Sequence, residues 1–422
     1  MRVASKWLLG VVLPLLLLAA AWVACNGRWA DAAPQAVPPE LRLRPVRLAP
    51  SRNAFYDLQG LNAPPSEDAN AWGQLHMHNP PPGESLSWPT DVLWQCKPAE
   101  NGCVQRWRDE RARMTALLAA AQDLGRRCEV VAAAEGIEEI VIERPTSGPL
   151  AQVAFAALPF PRYAGVSGCV RWFGVRAALA ANPRAAMQEL VKADHLARAA
   201  LAGSRSLIGT MVGVAAVQRS WLLAADFMAS TPGVERAALL PVLAPLPAQV
   251  LDPRIWVPSE ARFVREVVRD TAQSTQGCEE DGSTGAAGDR LWCRLRLGLL
   301  PELSNQYSDA RWLARLAAVP RNGLASCEQL SVPIWREPAR GWPTWRNTLG
   351  RLMLDTETDW ARYTARQLDL ELLRLTLRAQ VTGEALPAGV QLRRDADTQQ
   401  FAGCQARLYP GEAAGTLRLP PL

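Results

Sequence analysis

The sequence predicts a mainly α-helical protein, in which an N-terminal transmembrane or signal-anchor helix is followed by an irregular helical bundle with proline-rich connections. Three observations support this class. An uncharged run of 18 residues lies close to the start of the chain. Apolar residues then recur with the period of a helix, and clusters of proline separate the periodic segments. With 422 residues, of which 49% are hydrophobic, the chain is long enough to bury a sizeable core.

The uncharged run, residues 7–24, has the length of a membrane anchor. A helix of this length spans about 27 Å, close to the roughly 30 Å hydrocarbon core of a bilayer. Arg2 and Lys6 precede the run and favour a cytoplasmic N-terminus. There are two alternatives: a signal peptide that is cleaved at the A-x-A sequence of residues 30–32, and lipidation at Cys25. We therefore expect a single-pass protein of the bacterial inner membrane with a periplasmic C-terminal domain, or export to the periplasm.

The cysteines agree with an oxidising compartment. Eight of the nine lie beyond residue 25, and an even number after an export signal is typical of disulfides. Two local pairs are predicted, Cys96 with Cys103 and Cys278 with Cys293, because each pair brackets a turn-rich loop. Zinc-binding C-x-x-C spacing does not occur in the sequence, so disulfides are favoured over a metal site.

The chain divides into three parts by composition. Residues 1–25 are the predicted signal anchor or signal peptide, and residues 26–50, rich in proline and alanine, are predicted to be a tether. Residues 51–422 are predicted to form a single periplasmic, mostly helical domain. Its first part, residues 51–104, carries many turn signals and is predicted to be irregular.

Helical periodicity dominates the middle of the chain. It predicts a helix over residues 104–126 and three helices over residues 169–181, 183–202 and 206–229. Short connections between the last three favour antiparallel neighbours. Residues 207–217 are apolar on every side and predict a central buried helix, in which Gly209 and Gly213 would let a neighbouring helix approach closely.

Three more helices are predicted towards the C-terminus. The first begins at Ser259 and ends near residue 275, and a short one follows Ser308 and ends at Val319. A long final helix covers residues 348–382 and stops at Gly383.

Four short stretches resemble a known family. Residues 53–61 read NAFYDLQGL and are similar to the opening of a family of uncharacterised, membrane-anchored envelope proteins of diderm bacteria. Residues 206–213, 347–352 and 401–403 resemble its later segments, although Thr348 stands where that family has proline or valine. The resemblance covers most of residues 53–409 and implies a helical fold and an envelope location. It implies no activity, and therefore no catalytic residue.

The sequence predicts no catalytic, cofactor-binding or metal-binding residue. It contains no G-x-S-x-G, H-E-x-x-H, P-loop or G-x-G-x-x-G motif, and its three histidines are too few for a histidine-rich site. Asp194 and His195 are predicted to be a buried, hydrogen-bonded pair. The net charge of +5 is small and interspersed, so nucleic acid is not a predicted partner.

The candidate binding surface is an aromatic and basic segment formed by Trp335, Arg336, Trp342, Trp345 and Arg346. Such side chains stack on sugars, peptides and lipid headgroups, and they also pack in cores. We expect a non-enzymatic binding or assembly component of the envelope that contacts the inner membrane and an envelope protein partner.

The alternative function is a periplasmic hydrolase with an unidentified carboxylate-based site. Two ionisable side chains that converge in a deep cleft with shifted pKa values would favour it. A shallow apolar groove near the aromatic segment would favour the binding component.

Overall fold

The chain is mainly helical, as predicted. The computed structural model describes residues 8–77, 86–97, 102–141, 143, 158, 161–274, 298–320, 327–328, 346–350, 360–386, 391–395, 398–404 and 416–419. The α-helices are α1 (Leu13–Asn26), α2 (Ala54–Gln59), α3 (Ala69–His76), α4 (Cys103–Asp109), α5 (Arg111–Ala120), α6 (Gln122–Ala133), α7 (Ala164–Leu179), α8 (Pro183–Ala202), α9 (Leu207–Ala229), α10 (Val257–Ser274), α11 (Pro301–Ala318) and α12 (Trp360–Thr382).

Helix α9 lies at the centre of the main hydrophobic core. It packs against α7, α8 and α12, and its Trp221 and Phe227 are fully buried. Its first turn begins as predicted, because the Ser206 hydroxyl accepts from the Gly209 amide at 2.9 Å. Helix α8 likewise begins after Asn182, whose side chain accepts the Ala185 amide at 2.9 Å. The predicted central buried helix is thereby confirmed.

The predicted helix over residues 104–126 is three helices in the structure, α4 to α6. The breaks fall at Glu110 and Ala121, where the backbone leaves helical geometry. Distant groups fix the direction of α4: the Asp226 carboxylate accepts the Val104 amide at 2.8 Å, and Arg108 donates to the Ser230 carbonyl at 2.7 Å. Periodicity alone does not report such contacts, so the prediction of one helix was wrong.

A second hydrophobic cluster joins α10, α11 and α12. Trp256, Trp312 and Leu41 are among its buried residues. Helix α10 begins two residues before Ser259, and α11 begins at Pro301 rather than after Ser308, so both predicted starts were wrong.

Residues 27–52 are hereafter the strap, and its Val37 and Leu41 pack in this second cluster. The tether predicted over residues 26–50 includes most of the strap, which makes specific contacts with the body. Asn26, directly before it, is fully buried; its carbonyl accepts the Gly298 amide at 3.0 Å and its side chain accepts the Thr348 amide at 3.4 Å. The Arg28 guanidinium donates to the Ala272 carbonyl at 2.8 Å.

A three-stranded antiparallel sheet lies at the C-terminal end of the described residues. Its strands are β1 (Gln391–Asp395), β2 (Thr398–Ala402) and β3 (Thr416–Leu419), in the order β1-β2-β3. Phe401 lies opposite Leu392 on one side and Leu417 on the other. The sequence did not predict these strands.

Disulfides join parts of the described chain that are 7, 41 and 77 residues apart. Cys96–Cys103 forms as predicted, Cys128–Cys169 links α6 to α7, and Cys327–Cys404 connects two later segments. The predicted pair of Cys278 and Cys293 lies outside the described residues.

Two apolar helices matter for the membrane. Helix α9 is long and apolar enough to cross a bilayer, yet 67% of its most apolar stretch is buried inside the protein, as in a core helix. The residues Gly10–Asn26 form a shorter apolar helix. Its Leu15, Leu16, Leu17 and Leu18 are 59–67% exposed.

Candidate functional site

The candidate site is built around the segment of residues 136–139. On one side, the Asn53 side chain accepts the Glu138 amide at 2.8 Å and donates to the Glu138 carbonyl at 2.7 Å. Asn53 also caps α2 by accepting the Phe55 amide at 3.1 Å. On the other side, the Glu139 amide donates to the Gly203 carbonyl at 2.9 Å. The segment therefore lies between Asn53 and Gly203, and it places Glu139 at the start of α9.

Glu139 is a buried carboxylate, 3% exposed, with a complete set of partners. One oxygen accepts the amides of Arg205 at 2.6 Å and Ser206 at 2.8 Å. The other accepts the hydroxyls of Tyr163 and Ser206. A carboxylate has about four acceptor positions, and all of them are used. The charge also lies at the positive end of the α9 dipole, which stabilises it.

Glu260 lies beside Glu139, on the first turn of α10. Its carboxylate accepts the Leu207 amide at 3.3 Å, the next amide along the chain from Ser206. Burial raises the pKa of Glu260 to about 7, and the negative charge of Glu139 also raises it. Hydrogen bonds from the Leu207 amide and the Ser259 side chain lower the pKa and only partly offset this rise. Glu260 is therefore a carboxyl group that gains or loses its proton near neutral pH.

Tyr163 completes the hydrogen-bonded group. Burial raises the pKa of its hydroxyl far above the ordinary value, and the Glu139 carboxylate adds to the effect. The hydroxyl therefore stays protonated and donates to Glu139. Together Glu139, Tyr163, Ser206 and Glu260 line a cavity of about 50 Å³, which has room for water molecules but not for an organic substrate.

A larger cleft, hereafter the strap cleft, lies on the other side of residues 136–139. It has a volume of about 520 Å³ and is bounded by strap residues 43–48, residues 135–138, the end of α8 with residues 203–205, and three residues near the start of α10. The small cavity is lined by Glu139 and the strap cleft by residues 135–138, so consecutive residues of one segment line the two.

Most of the predicted binding surface lies outside the described residues. This holds for Trp335, Arg336, Trp342 and Trp345. Arg346 is described and partly buried, and its guanidinium donates to the carbonyl of Ala30 in the strap. The structure therefore gives Arg346 a contact that ties residues 346–350 to the strap.

The predicted pair of Asp194 and His195 is divided in the structure. Asp194 is buried and accepts from Trp221 at 2.9 Å and from Arg198 at 2.6 Å. Burial raises its pKa, which the Arg198 charge opposes. His195 is exposed, with Nδ1 at 3.2 Å from the Ala132 carbonyl. The prediction was right for Asp194 and wrong for His195.

Sequence reasoning missed Glu139 and Glu260. Ser206 marked the start of α9, but the two carboxylates come from positions 67 and 53 residues away from the amides they meet. Among the described residues, no group of three His, Cys, Asp or Glu side chains is placed to hold a metal ion.

Comparisons with known proteins add no further information on the site. No protein family, curated protein or solved structure matches this chain.

Proposed function

We propose that the protein is a non-enzymatic binding or assembly component of the bacterial envelope, anchored in the inner membrane by residues 7–24 with its helical domain in the periplasm. The observation that carries this proposal is an exposed apolar helix rooted in a folded body. Leucines 15–18 of α1 are 59–67% exposed, whereas Asn26 at its end is fully buried. Apolar surface exposed in this way is typical of a membrane or protein contact.

The contacts of the strap support retention of the N-terminal helix. Cleavage after Ala32 would remove Asn26, Arg28 and Asp31, each of which bonds to the body. Lipidation at Cys25 would leave these residues in place. Intact mass spectrometry of the protein from membranes separates the three forms. We expect a chain that keeps residues 26–32, and a mature protein beginning at Ala33 would contradict the anchor.

The disulfides support the periplasmic location, because such bonds persist in oxidising compartments. Cys96–Cys103, Cys128–Cys169 and Cys327–Cys404 all have their sulfur atoms within bonding distance. Peptide mapping without reduction tests this directly. Free thiols at all eight cysteines beyond the anchor would contradict the location.

The site chemistry supports binding rather than turnover. Every acceptor position of Glu139 is occupied by a group of the protein, and the cavity beside it admits only water. A buried carboxylate with this geometry stabilises the start of α9 without an open position for a substrate. The strap cleft, by contrast, has room for a ligand.

Crosslinking in membranes, followed by purification of the full chain, tests the assembly role. We expect a defined set of envelope partners that the Trp342→Ala/Trp345→Ala double variant loses. Trp29→Ala, which removes a 63% exposed tryptophan outside that segment, serves as the matched control. An unchanged partner set in the double variant would refute the predicted surface.

A carboxylate-based hydrolase is the second candidate, and one observation favours it. Glu139 and Glu260 accept neighbouring amides at the start of α9, and the pKa of Glu260 is raised to about 7. A proton-bearing Glu260 beside a charged Glu139 is the pairing that general acid catalysis uses. If the protein is a hydrolase, the full chain should hydrolyse at least one substrate in a panel of esters and glycosides. The Glu260→Gln variant should then show no turnover of that substrate. Equal turnover in the variant would refute it.

A further inference from the structure

The strap cleft has the dimensions of a ligand site. Its volume of about 520 Å³ is within the range of about 300–1,000 Å³ that is usual for small-molecule pockets. Its apolar lining comes from Leu43 and Leu48 of the strap and from Ile137, Ile255 and Pro258 of the body. Much of the wall is therefore apolar, and it would shield one side of a bound molecule from water.

The two carboxylates of the cleft are already engaged by the protein. Glu138 accepts the amides of Arg47 at 2.7 Å and Leu48 at 3.0 Å, and so fastens the strap to the body. Glu135 forms an ion pair with Arg52. These acids hold the strap in place and leave the arginine side chains of the cleft available.

Three arginines line the strap cleft. Arg44 and Arg47 are exposed, and their guanidiniums form no hydrogen bond or ion pair with the described residues. Arg205 is partly buried and makes one long bond, at 3.3 Å, to the Glu139 carbonyl. Burial lowers the pKa of Arg205, nearby carboxylates raise it, and the positive charge of Arg44 lowers it. The donors of Arg44 and Arg205 that no described residue accepts could bind an anion in the cleft.

We propose that the strap cleft binds a single-chain amphiphile with an anionic head, a carboxylate or a phosphate. Arg44 and Arg205 hold the head group, and the apolar wall covers the hydrocarbon chain. This inference rests on the proposed function, because it names a ligand class for the binding component. Two sources have the required chemistry, a phosphate-headed lipid of the membrane and a free fatty acid.

Isothermal titration calorimetry on the full chain tests the inference. The protein is placed in nanodiscs of zwitterionic lipid and titrated with dodecyl phosphate and with dodecanoate, and empty nanodiscs provide the blank. We expect saturable binding of one molecule per chain. Arg44→Gln removes an exposed side chain, so the fold remains intact, and should weaken binding by about tenfold or more because a charge-assisted bond is lost. Arg236→Gln, at an exposed arginine outside the cleft, should bind like the wild type.

Each outcome decides a specific point. Tighter binding of dodecyl phosphate or of dodecanoate supports the proposal and identifies the lipid or the fatty acid as the source. Equal binding of dodecanol or of inorganic phosphate, no saturable signal above the blank, or full affinity in Arg44→Gln would overturn it. If partners still crosslink while the amphiphiles fail to bind, the ligand class is wrong and the assembly role stands. If the amphiphiles bind and no partner crosslinks, the assembly role is wrong instead.

Discussion

Replacement of Glu260 by glutamine should make the protein more stable at alkaline pH and change little at acid pH. Glutamine has nearly the shape of glutamic acid and keeps an oxygen for the Leu207 amide, which lies at 3.3 Å from Glu260. It differs in having no proton to lose. The variant therefore isolates the cost of a negative charge at this position, which is partly buried beside the charged Glu139.

The size of the effect follows from the pKa of Glu260, which rises from 4.5 to about 7 on folding. Between these values the folded protein keeps a proton that the unfolded chain has released, so wild-type stability falls as the pH rises through this window. Each pH unit corresponds to about 1.36 kcal/mol. The full loss is therefore about 3 kcal/mol at pH 8, and it is absent at pH 4.5 and below.

Urea unfolding followed by tryptophan fluorescence at pH 5 and pH 8 measures this difference. We expect Glu260→Gln to be less than about 1 kcal/mol more stable than the wild type at pH 5 and about 3 kcal/mol more stable at pH 8. Glu235→Gln, at an exposed glutamate, should follow the wild type at both values. If Glu260→Gln is equally destabilising at pH 5 and pH 8, Glu260 acts as a charged helix cap and the reasoning is wrong.

Three further predictions concern stability under urea. Asp31→Ala removes the carboxylate that accepts two amides at the start of α11, at 3.2 and 3.0 Å, and should lower the free energy of unfolding by about 1–2 kcal/mol. Glu40→Ala, at an exposed strap residue, should leave it unchanged. Equal urea midpoints for the two variants would refute the cap. Asn53→Ala removes two hydrogen bonds to Glu138 and the one that caps α2, and should cost about 3 kcal/mol. A loss below about 0.5 kcal/mol would show that these bonds contribute little. Replacing both Cys128 and Cys169 by serine opens a loop of 41 residues and should lower the free energy of unfolding by about 4 kcal/mol at pH 7. Wild-type stability in this double variant would refute the prediction.

The parts of the fold that local chemistry determines were predictable. Helices α8 and α9 begin at Asn182 and Ser206 because each residue satisfies an amide three positions ahead. Gly383 ends α12 with a positive φ of 76°, which glycine adopts readily. Gly213 also fulfils its predicted part: a side chain there would lie 2.6 Å from the Leu201 backbone of α8, so glycine permits the close approach.

The parts that distant residues determine were not predictable. Ser308 looked like the start of a helix, but it is 1% exposed inside α11, whose first amides Asp31 caps from 271 residues away. Gly209 was expected to meet a helix and instead lies against a carboxylate: a side chain there would lie 2.3 Å from Glu139. Periodicity and capping patterns report neighbours along one helix, so a carboxylate that arrives from another part of the chain leaves no local signal.

The contacts of Asn26 and Asp31 have a consequence for the order of folding. Both residues leave the ribosome early, whereas their partners Gly298, Glu302 and Thr348 are synthesised 271 to 322 residues later. Closing such long loops is slow, because the entropy of the intervening chain must be lost before any contact compensates for it. The base of the apolar helix therefore stays unpaired and open to proteases until the segments around residues 298–302 and 348 have been made. A truncation that removes these segments should for this reason expose residues 26–31 to proteolysis as well.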